Sequence, residues 1–362
     1  MTSLNLDAHQ TICLDFSQAS STLIQSLEAL SWTHIRSIKR FLEEWFDESS
    51  VVKLQTSGTT GLAKVISKEK IFLKASARLS GDFFGFTTGQ TALLALSGDY
   101  IAAKMMMVRA AEYQMKLYVC PPTNLSILEA GIRFDFCPLV PLQAKKYLNT
   151  LGSIHTLLLG GATLDPDLES LIISKVDRVY HSFASTETLS HIALKHLTKK
   201  QRHFEVLPTI DWGKTASHCL WISAKTLGID YLETNDIIEI QDHGFRWLGR
   251  ADFIINSGGL KHNPEVLEAK LDKLKALNLS FIISSRPDKR LGNALVLVIE
   301  RPKKSLTKFK RSDFEALSKV QLPKAVFVVK HLPRTAQSSK IQRLKTEFIF
   351  DDLNVVSVYE LE

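Results

Sequence analysis

The densest group of reactive side chains in the sequence is the run Thr56-Ser57-Gly58-Thr59-Thr60-Gly61-Leu62-Ala63-Lys64. Glycine lets the backbone approach a ligand closely and take positive φ. Exposed N–H groups with the hydroxyls of Thr56, Ser57, Thr59 and Thr60 make a nest for an anion, and Lys64 adds positive charge. The composition suits a phosphate grip; the ordinary alternative is a Gly/Thr turn between a strand and a helix. A Walker loop requires G-x-x-x-x-G-K-S/T. Here Lys64 does not follow Gly61 directly and Val65 replaces the hydroxyl residue, so that motif is not met. The dinucleotide motif G-x-G-x-x-G is not met either.

Four further segments follow in order. They are Leu158-Leu159-Gly160-Gly161-Ala162; Tyr180-His181-Ser182-Phe183-Ala184-Ser185-Thr186-Glu187-Thr188; Thr234-Asn235-Asp236 with Gly249-Arg250-Ala251-Asp252 and Ile254 to Gly259; and Leu332-Pro333-Arg334-Thr335 with Lys340-Ile341-Gln342-Arg343. Together with the loop, from about Val51 to Arg343, they resemble the adenylate-forming superfamily of acyl-CoA synthetases, whose signature reads S/T-S-G-T-T-G-x-P-K-G. The chain departs at Ala63 for proline, Val65 for glycine, Ala184 within the second segment and Ser339 for the glycine before the lysine. The run Pro333 to Lys340 is also one residue longer.

The resemblance implies that a carboxylate attacks the α-phosphate of ATP and expels pyrophosphate, with Mg2+ present, and that coenzyme A then takes the acyl group. Both first reactants are anionic, so positive charge, metal and positioning matter more than acid–base chemistry. The resemblance makes Glu187 the Mg2+ contact, for which a carboxylate is suited; the alternative is a first-turn helix residue. Thr186 would offer its hydroxyl to phosphate, or cap a turn. Gly161 and Ala162 fall in the turn beside the adenine and acyl pockets. Phe183 would stack on adenine, or be a core residue. Asp236 would accept hydrogen bonds from both ribose hydroxyls, or begin a strand as a turn residue. Arg250 would pair with ribose or phosphates, or lie on the surface.

Lys340 would meet the α-phosphate and the substrate carboxylate, although lone lysines are usually solvated. In this superfamily the second domain closes to bring that lysine in and swings again for coenzyme A, with Asp252 marking the hinge. Gly258 and Gly259 match the segment lining the pantetheine channel.

These groups need elements to hold them. Short apolar runs at Val51–Gln55, Ala92–Leu96, Leu117–Cys120, His155–Leu159 and Arg178–Phe183 alternate with helical patterns at Lys68–Phe84, Tyr100–Ala111 and from Asp165 onward. Such alternation predicts a layered α/β domain. Beyond about Arg202 the runs Phe204–Leu207, Cys219–Ile222 and Ile237–Ile240, with a turn at Asp242-His243-Gly244, predict a small antiparallel β-rich subdomain. A smaller α+β unit follows, with helices at Pro264–Ala276 and near Ser312–Lys319 and strands at Leu279–Ser284, Ala294–Glu300 and Ala325–Lys330. The expected division is a core over 1–250 and a mobile lid over 253–362, hinged at 249–252.

At 362 residues, two domains are the natural expectation, and 45% apolar with 23% charged residues indicates a globular chain. No apolar run long enough for a membrane helix and no secretory leader is read, which points to the cytoplasm. Cys13, Cys120, Cys137 and Cys219 are scattered, against a zinc or disulfide framework. The net charge of +7 suits handling of polyanions such as nucleotides. The basic run Arg301–Arg311 reads as a solvated face, with phosphate contact the sharper alternative. No aromatics interleave at base-stacking spacing, so a nucleic-acid reader is not expected.

The phosphate loop lies near residue 56, much earlier than in typical superfamily members, and this short form resembles bacterial o-succinylbenzoate–CoA ligases of menaquinone synthesis. The segments Asp99 to Ala110 and Leu139 to Gln143 share that resemblance, with Tyr100 where that group often has histidine. A dicarboxylic substrate needs a second cation, for which Lys104 and Arg109 are the candidates; an exposed helix face is the preferred reading of both. Met105–Met107 reads as core filler. A carrier-protein acyl-adenylating enzyme, a ligase for another aryl or fatty acid, and a non-catalytic nucleotide-binding relic are the alternatives. The oligomeric state stays open.

Overall fold

The computed structural model describes residues 6–55, 65–271, 273–274, 279–300, 311–334, 341, 343 and 355–360. The chain divides into two compact units. The first comprises Met1–Trp212, Ile222–Leu232 and Ile240–Arg246; the second comprises Gly213–Trp221, Glu233–Glu239 and Trp247–Glu362. The fold is mixed α/β, as expected. Among the described residues no helix is long and apolar enough to cross a membrane.

The chain begins with β1 (Ile12–Asp15), α1 (Ser20–Glu28), α2 (Thr33–Phe46), β2 (Val51–Gln55), β3 (Val65–Glu69) and α3 (Lys70–Phe84). It continues with β4 (Thr91–Leu94), α4 (Ile101–Glu112), β5 (Lys116–Val119), β6 (Phe134–Leu139), α5 (Pro141–Lys146), β7 (Ile154–Leu159) and α6 (Pro166–Ile173). Then come β8 (Arg178–Ala184), β9 (His191–His196) and β10 (Phe204–Val206). Strands β11 (Asp211–Lys214), β12 (Cys219–Ala224), β13 (Ile229–Gln241) and β14 (Gly244–Arg250) pass between the two units.

The main sheet of the first unit runs β1-β5-β4-β6-β7-β8-β9-β10 and continues through β14, β13, β12 and β11. Its centre is parallel: β4 pairs with β5 and β6, β6 with β7, and β7 with β8. Parallel strands are covered on both faces and therefore carry continuous apolar runs. Ala92 to Leu94 and Leu157 to Leu159 are buried accordingly. On α4, Met105, Met106 and Met107 are fully buried, the filler role expected of them. Antiparallel pairing starts earlier than the sequence pattern indicates, at β8–β9. The connection of residues 185–190 is too short for the crossover that a parallel pair needs.

A second difference concerns the segment after the phosphate loop. The helical pattern expected from Lys68 begins instead with a strand: β3 pairs antiparallel with β2, from Val51↔Glu69 to Gln55↔Val65, and α3 starts at Lys70. The β-branched pair Val65-Ile66 favours the extended state. The described residues that follow the phosphate-loop segment therefore begin with a strand paired to β2 and not with a helix.

The second unit holds β15 (Ile255–Ser257), β16 (Leu260–His262), α7 (Pro264–Ala269), β17 (Phe281–Asp288), β18 (Gly292–Glu300), β19 (Ala325–Val329) and β20 (Val355–Glu360). Its sheet runs β17-β18-β19-β20, with only β18–β19 parallel. On β18 the side chains alternate between two cores, as a strand's period of two dictates. Leu295, Leu297 and Ile299 pack with Leu267, Leu271 and Phe314, while Val296 and Val298 pack with Phe327 and Val329. The helix expected near Ser312–Lys319 is absent. Two short 3-10 turns, Arg311–Phe314 and Lys319–Gln321, stand there. Phe314 and Leu317 already fill the core from one turn, and Ser318 donates its N–H to Gln321 to start the next.

Candidate active site

In the parallel centre of the first unit, chain order is β4, β5, β6, β7, β8 but spatial order is β5-β4-β6-β7-β8. The reversal between β4 and β6 is a topological switch point, and ligands of open α/β sheets bind outside the carboxyl ends of the strands there. Three of the segments singled out by sequence lie at these carboxyl ends. Gln143 stitches the first of them: it donates to the carbonyls of Ala95 (2.7 Å) and Pro122 (2.9 Å), and its own carbonyl accepts from Val140 N–H (3.0 Å). Gly160-Gly161-Ala162 follows β7, and Gly160 N–H donates to Leu139 at the end of β6. The imidazole of His181, on β8, lies 3.1 Å from the Ala162 carbonyl. Burial lowers the His181 pKa to about 4, against the opposing pull of that carbonyl, so the ring is neutral at pH 7.

Phe183 is half-buried on β8 and meets Phe245 and Phe204 edge-on, with ring centroids 5.0 and 5.7 Å away. Thr186 is buried and Glu187 exposed in the turn that follows. No helix starts there, so the first-turn reading of Glu187 does not apply. The turn is held from within. Ser185 N–H donates to Thr188 Oγ1 (3.0 Å), Thr188 N–H donates to Ser185 Oγ (3.2 Å), and Thr188 Oγ1 donates to the Ser190 carbonyl (2.8 Å). Leu189 completes it at φ +65°, a conformation uncommon outside glycine. These bonds fix the backbone so that Glu187 projects to solvent while Thr186 is turned inward. Among the described residues no group of three His, Cys, Asp or Glu side chains converges as a metal cage. A single exposed carboxylate suits Mg2+, which keeps waters and takes phosphate oxygens in place of a full protein cage.

Arg109 braces the far side of this turn. Contrary to the exposed face expected of it, Arg109 is 2% exposed, and its guanidinium donates to Ser190 Oγ. The reason is its place on α4, in the buried stretch Met105–Ala110. Its Nε has no partner among the described residues, and no carboxylate there pairs with it. Burial pushes its pKa down to about 10, so it remains charged at pH 7. Beside it, His191 sits 3.1 Å from Ser80 Oγ and 3.4 Å from Ser190 Oγ. Burial, and then the neighbouring Arg109, hold His191 well below its ordinary pKa. Among the described residues, this buried cluster thus holds one positive charge with no carboxylate partner, among neutral hydroxyls and a neutral imidazole.

Lys104 also departs from the exposed reading. Its ammonium donates to the Lys53 carbonyl (2.9 Å) and lies 5.2 Å from the centre of the Phe41 ring. It therefore ties α4 to β2, three residues before the phosphate loop. Thr56, Ser57, Gly58, Thr59, Thr60, Gly61 and Lys64 themselves lie outside the described residues, and so does Lys340.

The remaining sequence-predicted residues come together in the second unit. Asp236 N–H donates to Thr234 Oγ1 (3.1 Å), and Asp236 Oδ1 accepts from the indole N–H of Trp247 (2.8 Å). Arg250 lies 3.7 Å from Asp236 Oδ2 and forms a two-point fork with Asp252, at 3.0 Å in both arms. Burial lowers the Arg250 pKa, but the Asp252, Asp236 and Glu265 carboxylates outweigh it and hold the group above its ordinary value. Gly258 and Gly259, at φ +58° and +80°, make the two-residue turn between β15 and β16. Positive φ at both centres is the requirement of a type I′ hairpin.

Sequence reasoning missed Trp247, Glu265, Glu268 and the setting of Arg343. Glu265 Oε2 accepts from Arg250 N–H (3.0 Å). Asn263 caps α7, donating to the Leu248 carbonyl (2.8 Å) while accepting from Glu265 N–H (3.0 Å). Arg343 forks onto Glu268, and it and Arg250 both lie over the ring of Phe253, at 5.5 and 5.8 Å. The one signal in the sequence was Asn263-Pro264-Glu265, a cap followed by proline at the first helical position and an acid in the first turn.

No family model matches the chain. A 2-succinylbenzoate–CoA ligase of a Geobacillus species is 24% identical over 350 residues, spanning 85% of this chain and 71% of that relative. One of Listeria monocytogenes is 25% identical over 345 residues, spanning 84% and 71%. A solved structure from Dyadobacter fermentans, described as an acyl-CoA synthetase (AMP-forming)/AMP-acid ligase II-like protein, is 30% identical with a TM-score of 0.59 and covers 92% of this chain and 97% of that one. The chain belongs to the AMP-forming acyl-CoA synthetase superfamily. The o-succinylbenzoate coenzyme A synthetase of Bacillus subtilis, solved with ATP and magnesium ion, shares the fold at a TM-score of 0.72 and 21% identity, over 80% of this chain and 68% of that one.

Proposed function

We propose that this protein is an ATP-dependent acid–CoA ligase that forms an acyl-adenylate and then an acyl-CoA thioester, with 2-succinylbenzoate as the acid. The observation that carries the choice of acid is Arg109, a charged guanidinium almost wholly buried with no carboxylate partner among the described residues. Removing such a charge from water is costly unless an opposite charge compensates. A substrate with a second carboxylate, one activated and one left free, supplies that charge. Relatives named for this acid, aligned over most of the chain, point the same way.

In the first step a substrate carboxylate oxygen attacks the α-phosphorus of ATP and the bond to the pyrophosphate oxygen breaks. Residues Thr56 to Gly61 and Lys64 are assigned to the β- and γ-phosphates. Asp236 is assigned to the ribose hydroxyls and Arg250 to the ribose or phosphates. Phe183, Gly161 and Ala162 are assigned to the adenine. Mg2+ bound at Glu187 supplies positive charge to the phosphate oxygens. Thr186 donates its hydroxyl to phosphate, and Lys340 meets the two anions as they approach. In the second step the coenzyme A thiolate attacks the acyl carbonyl, AMP leaves, and Gly258-Gly259 lines the path of the pantetheine arm. Asp252 serves as the hinge of a core over 1–250 and a lid over 253–362, and the reaction is placed in the cytoplasm.

The test is to supply ATP, Mg2+, coenzyme A and 2-succinylbenzoate and to measure pyrophosphate and thioester together. Stoichiometric formation of both is expected. Pyrophosphate without a thioester would sink the CoA-ligase reading, and turnover only with monocarboxylic acids would sink the choice of substrate.

A further inference from the structure

We infer that Lys104 and Glu44 are positioning residues for the phosphate grip: together they hold the backbone of Lys53 and so pre-set the strand that leads into Thr56. The inference rests on the assignment of Thr56 to Lys64 to the β- and γ-phosphates, and extends it to two residues outside that loop. Strand β2 ends at Gln55, one residue before Thr56, and β3 begins at Val65, one residue after Lys64. The two strands therefore set where the loop starts and ends. They form a sheet of two strands only. A two-stranded antiparallel pair is marginally stable at best on its own, so its ties to other elements decide how firmly it stands.

Val52 and Leu54 supply the apolar tie, both buried. The polar tie lies on the outer edge of β2. Lys53 N–H donates to Glu44 Oε1 of α2 (2.6 Å), and the Lys53 carbonyl accepts from the Lys104 ammonium of α4 (2.9 Å). A strand edge normally leaves such groups open to a further strand. Here side chains from two helices take both, and bonds of this kind to charged groups are stronger than neutral ones. The Lys104 ammonium also lies 5.2 Å from the centre of the buried Phe41 ring, which limits where it can go. The start of the strand is pinned separately. Ser49 bonds the Val51 N–H (3.1 Å) and carbonyl (3.0 Å), and Lys70 donates its N–H to the Ser50 carbonyl (2.7 Å). Lys53 is thus held nearer the loop than those ties reach. All these residues belong to the first unit. A loop whose root is already held costs less to order when ATP binds. Loss of the clamp moves that cost to the binding step. AMP has no β- or γ-phosphate, so its affinity escapes the cost.

The experiment measures equilibrium affinities for ATP and for AMP, with Mg2+, in the wild type, Lys104→Met, Lys104→Arg, Glu44→Ala and Lys64→Ala. Methionine keeps the apolar stem without the donor; arginine keeps a charged donor. Lys104→Met and Glu44→Ala are each expected to weaken ATP binding by about tenfold, the lower end for a hydrogen bond to a charged group, with AMP within about twofold of the wild type. Lys104→Arg should recover most of the loss. A merely structural role weakens both nucleotides alike, and equal losses overturn the inference. A loss confined to KM for 2-succinylbenzoate would assign Lys104 to the acid and overturn it too. Lys64→Ala tests the underlying reading: if it leaves the ratio of ATP to AMP affinity at the wild-type value, the loop assignment falls and the inference with it. If Lys64→Ala lowers that ratio and Lys104→Met does not, the inference alone falls. Hydrogen exchange gives a second measurement. Amides of 51–55 and 65–69 are expected to exchange faster in nucleotide-free Lys104→Met than in the wild type, and to slow with ATP; equal exchange in the two proteins overturns the inference.

Discussion

The guanidinium of Arg109, on α4, donates to the hydroxyl of Ser190, three residues beyond Glu187 in the turn that joins β8 to β9. One buried cation thereby holds the segment assigned to Mg2+ while its Nε stays unpaired among the described residues. If the free carboxylate of the substrate completes that pairing, removing the cation must penalise dicarboxylic acids selectively. Arg109→Met is expected to lower kcat/KM for 2-succinylbenzoate by about tenfold to hundredfold, the range of a charge-assisted hydrogen bond. It should lower kcat/KM for the analogue lacking the ring carboxylate by much less. Steady-state kinetics with both acids decide it, and equal losses would assign Arg109 to the turn alone.

Two buried imidazoles, one on β8 and one on β9, set an acid limit on stability. His191 is held well below its ordinary pKa, and His181 is lowered to about 4, in both cases chiefly by burial. An unfolded histidine titrates near pH 6.5. Below that point the unfolded chain binds protons that the folded chain refuses, so stability rises with pH and is lost on acidification. The loss begins near pH 6.5 and runs through pH 4, at up to about 1.4 kcal/mol per pH unit for each ring. Urea unfolding at a series of pH values measures the slope. His191→Asn should flatten it; a slope unaltered by that change would place the acid sensitivity elsewhere.

Glu187 is exposed at the tip of a turn whose backbone is fixed by Ser185 and Thr188. Glu187→Gln keeps the shape and removes the charge. Adenylate formation is expected to drop by about a hundredfold, since metal charge at a phosphate is worth several kcal/mol. The Mg2+ concentration needed for half-maximal rate should rise. Thr188→Ala loosens the turn without touching the carboxylate and should give a smaller loss of the same kind, read by Mg2+ titration of pyrophosphate release.

The parts legible in the sequence were those with local causes. Val51–Gln55, His155–Leu159 and Arg178–Phe183 announce themselves as strands by apolar runs, and Asp165-Pro166 and Asn263-Pro264 announce helices by cap and proline. The strand β3 was hidden because Val65–Glu69 blends into the helical pattern of α3, and only pairing with β2 reveals it. The burial of Arg109 was hidden for a related reason. Sequence periodicity places a residue on a helix face, but α4 is covered on nearly every side from Met105 to Ala110, and that follows from the elements around it. Trp247 could not be singled out, because nothing local to Phe245–Leu248 signals that its ring meets a carboxylate eleven residues earlier.

Lys340 sits in the stretch that resembles the superfamily's lysine, with Ser339 where glycine is usual. If it meets the α-phosphate and the acid only as they react, its loss must affect chemistry more than nucleotide affinity. Lys340→Ala is expected to bind ATP within about threefold of the wild type and to lose adenylate formation by about a hundredfold or more. Thiolysis of a pre-formed adenylate by coenzyme A, which gives the thioester and AMP, should be less affected. Equilibrium binding and the two half-reactions, measured separately, distinguish this from a general loss of folding.

Gly249 occupies the tightest junction of the second unit. It has φ +126°, and a Cβ built there would come within 2.3 Å of Asn263 Nδ2 and 2.7 Å of Glu265 Oε2. Those two side chains cannot withdraw without cost, because Asn263 caps α7 and holds the Leu248 carbonyl while Glu265 accepts the Arg250 N–H. Gly249→Ala therefore combines backbone strain with displacement of the cap, each on the order of 1–3 kcal/mol. A loss of about 2–4 kcal/mol in denaturant unfolding is expected from the two. Because Arg250 moves with its backbone, KM for ATP should rise as well. Gly249→Ala in an Asn263→Ala background separates the contributions: if the collision with Asn263 dominates, the double variant loses less stability than the sum of the single ones.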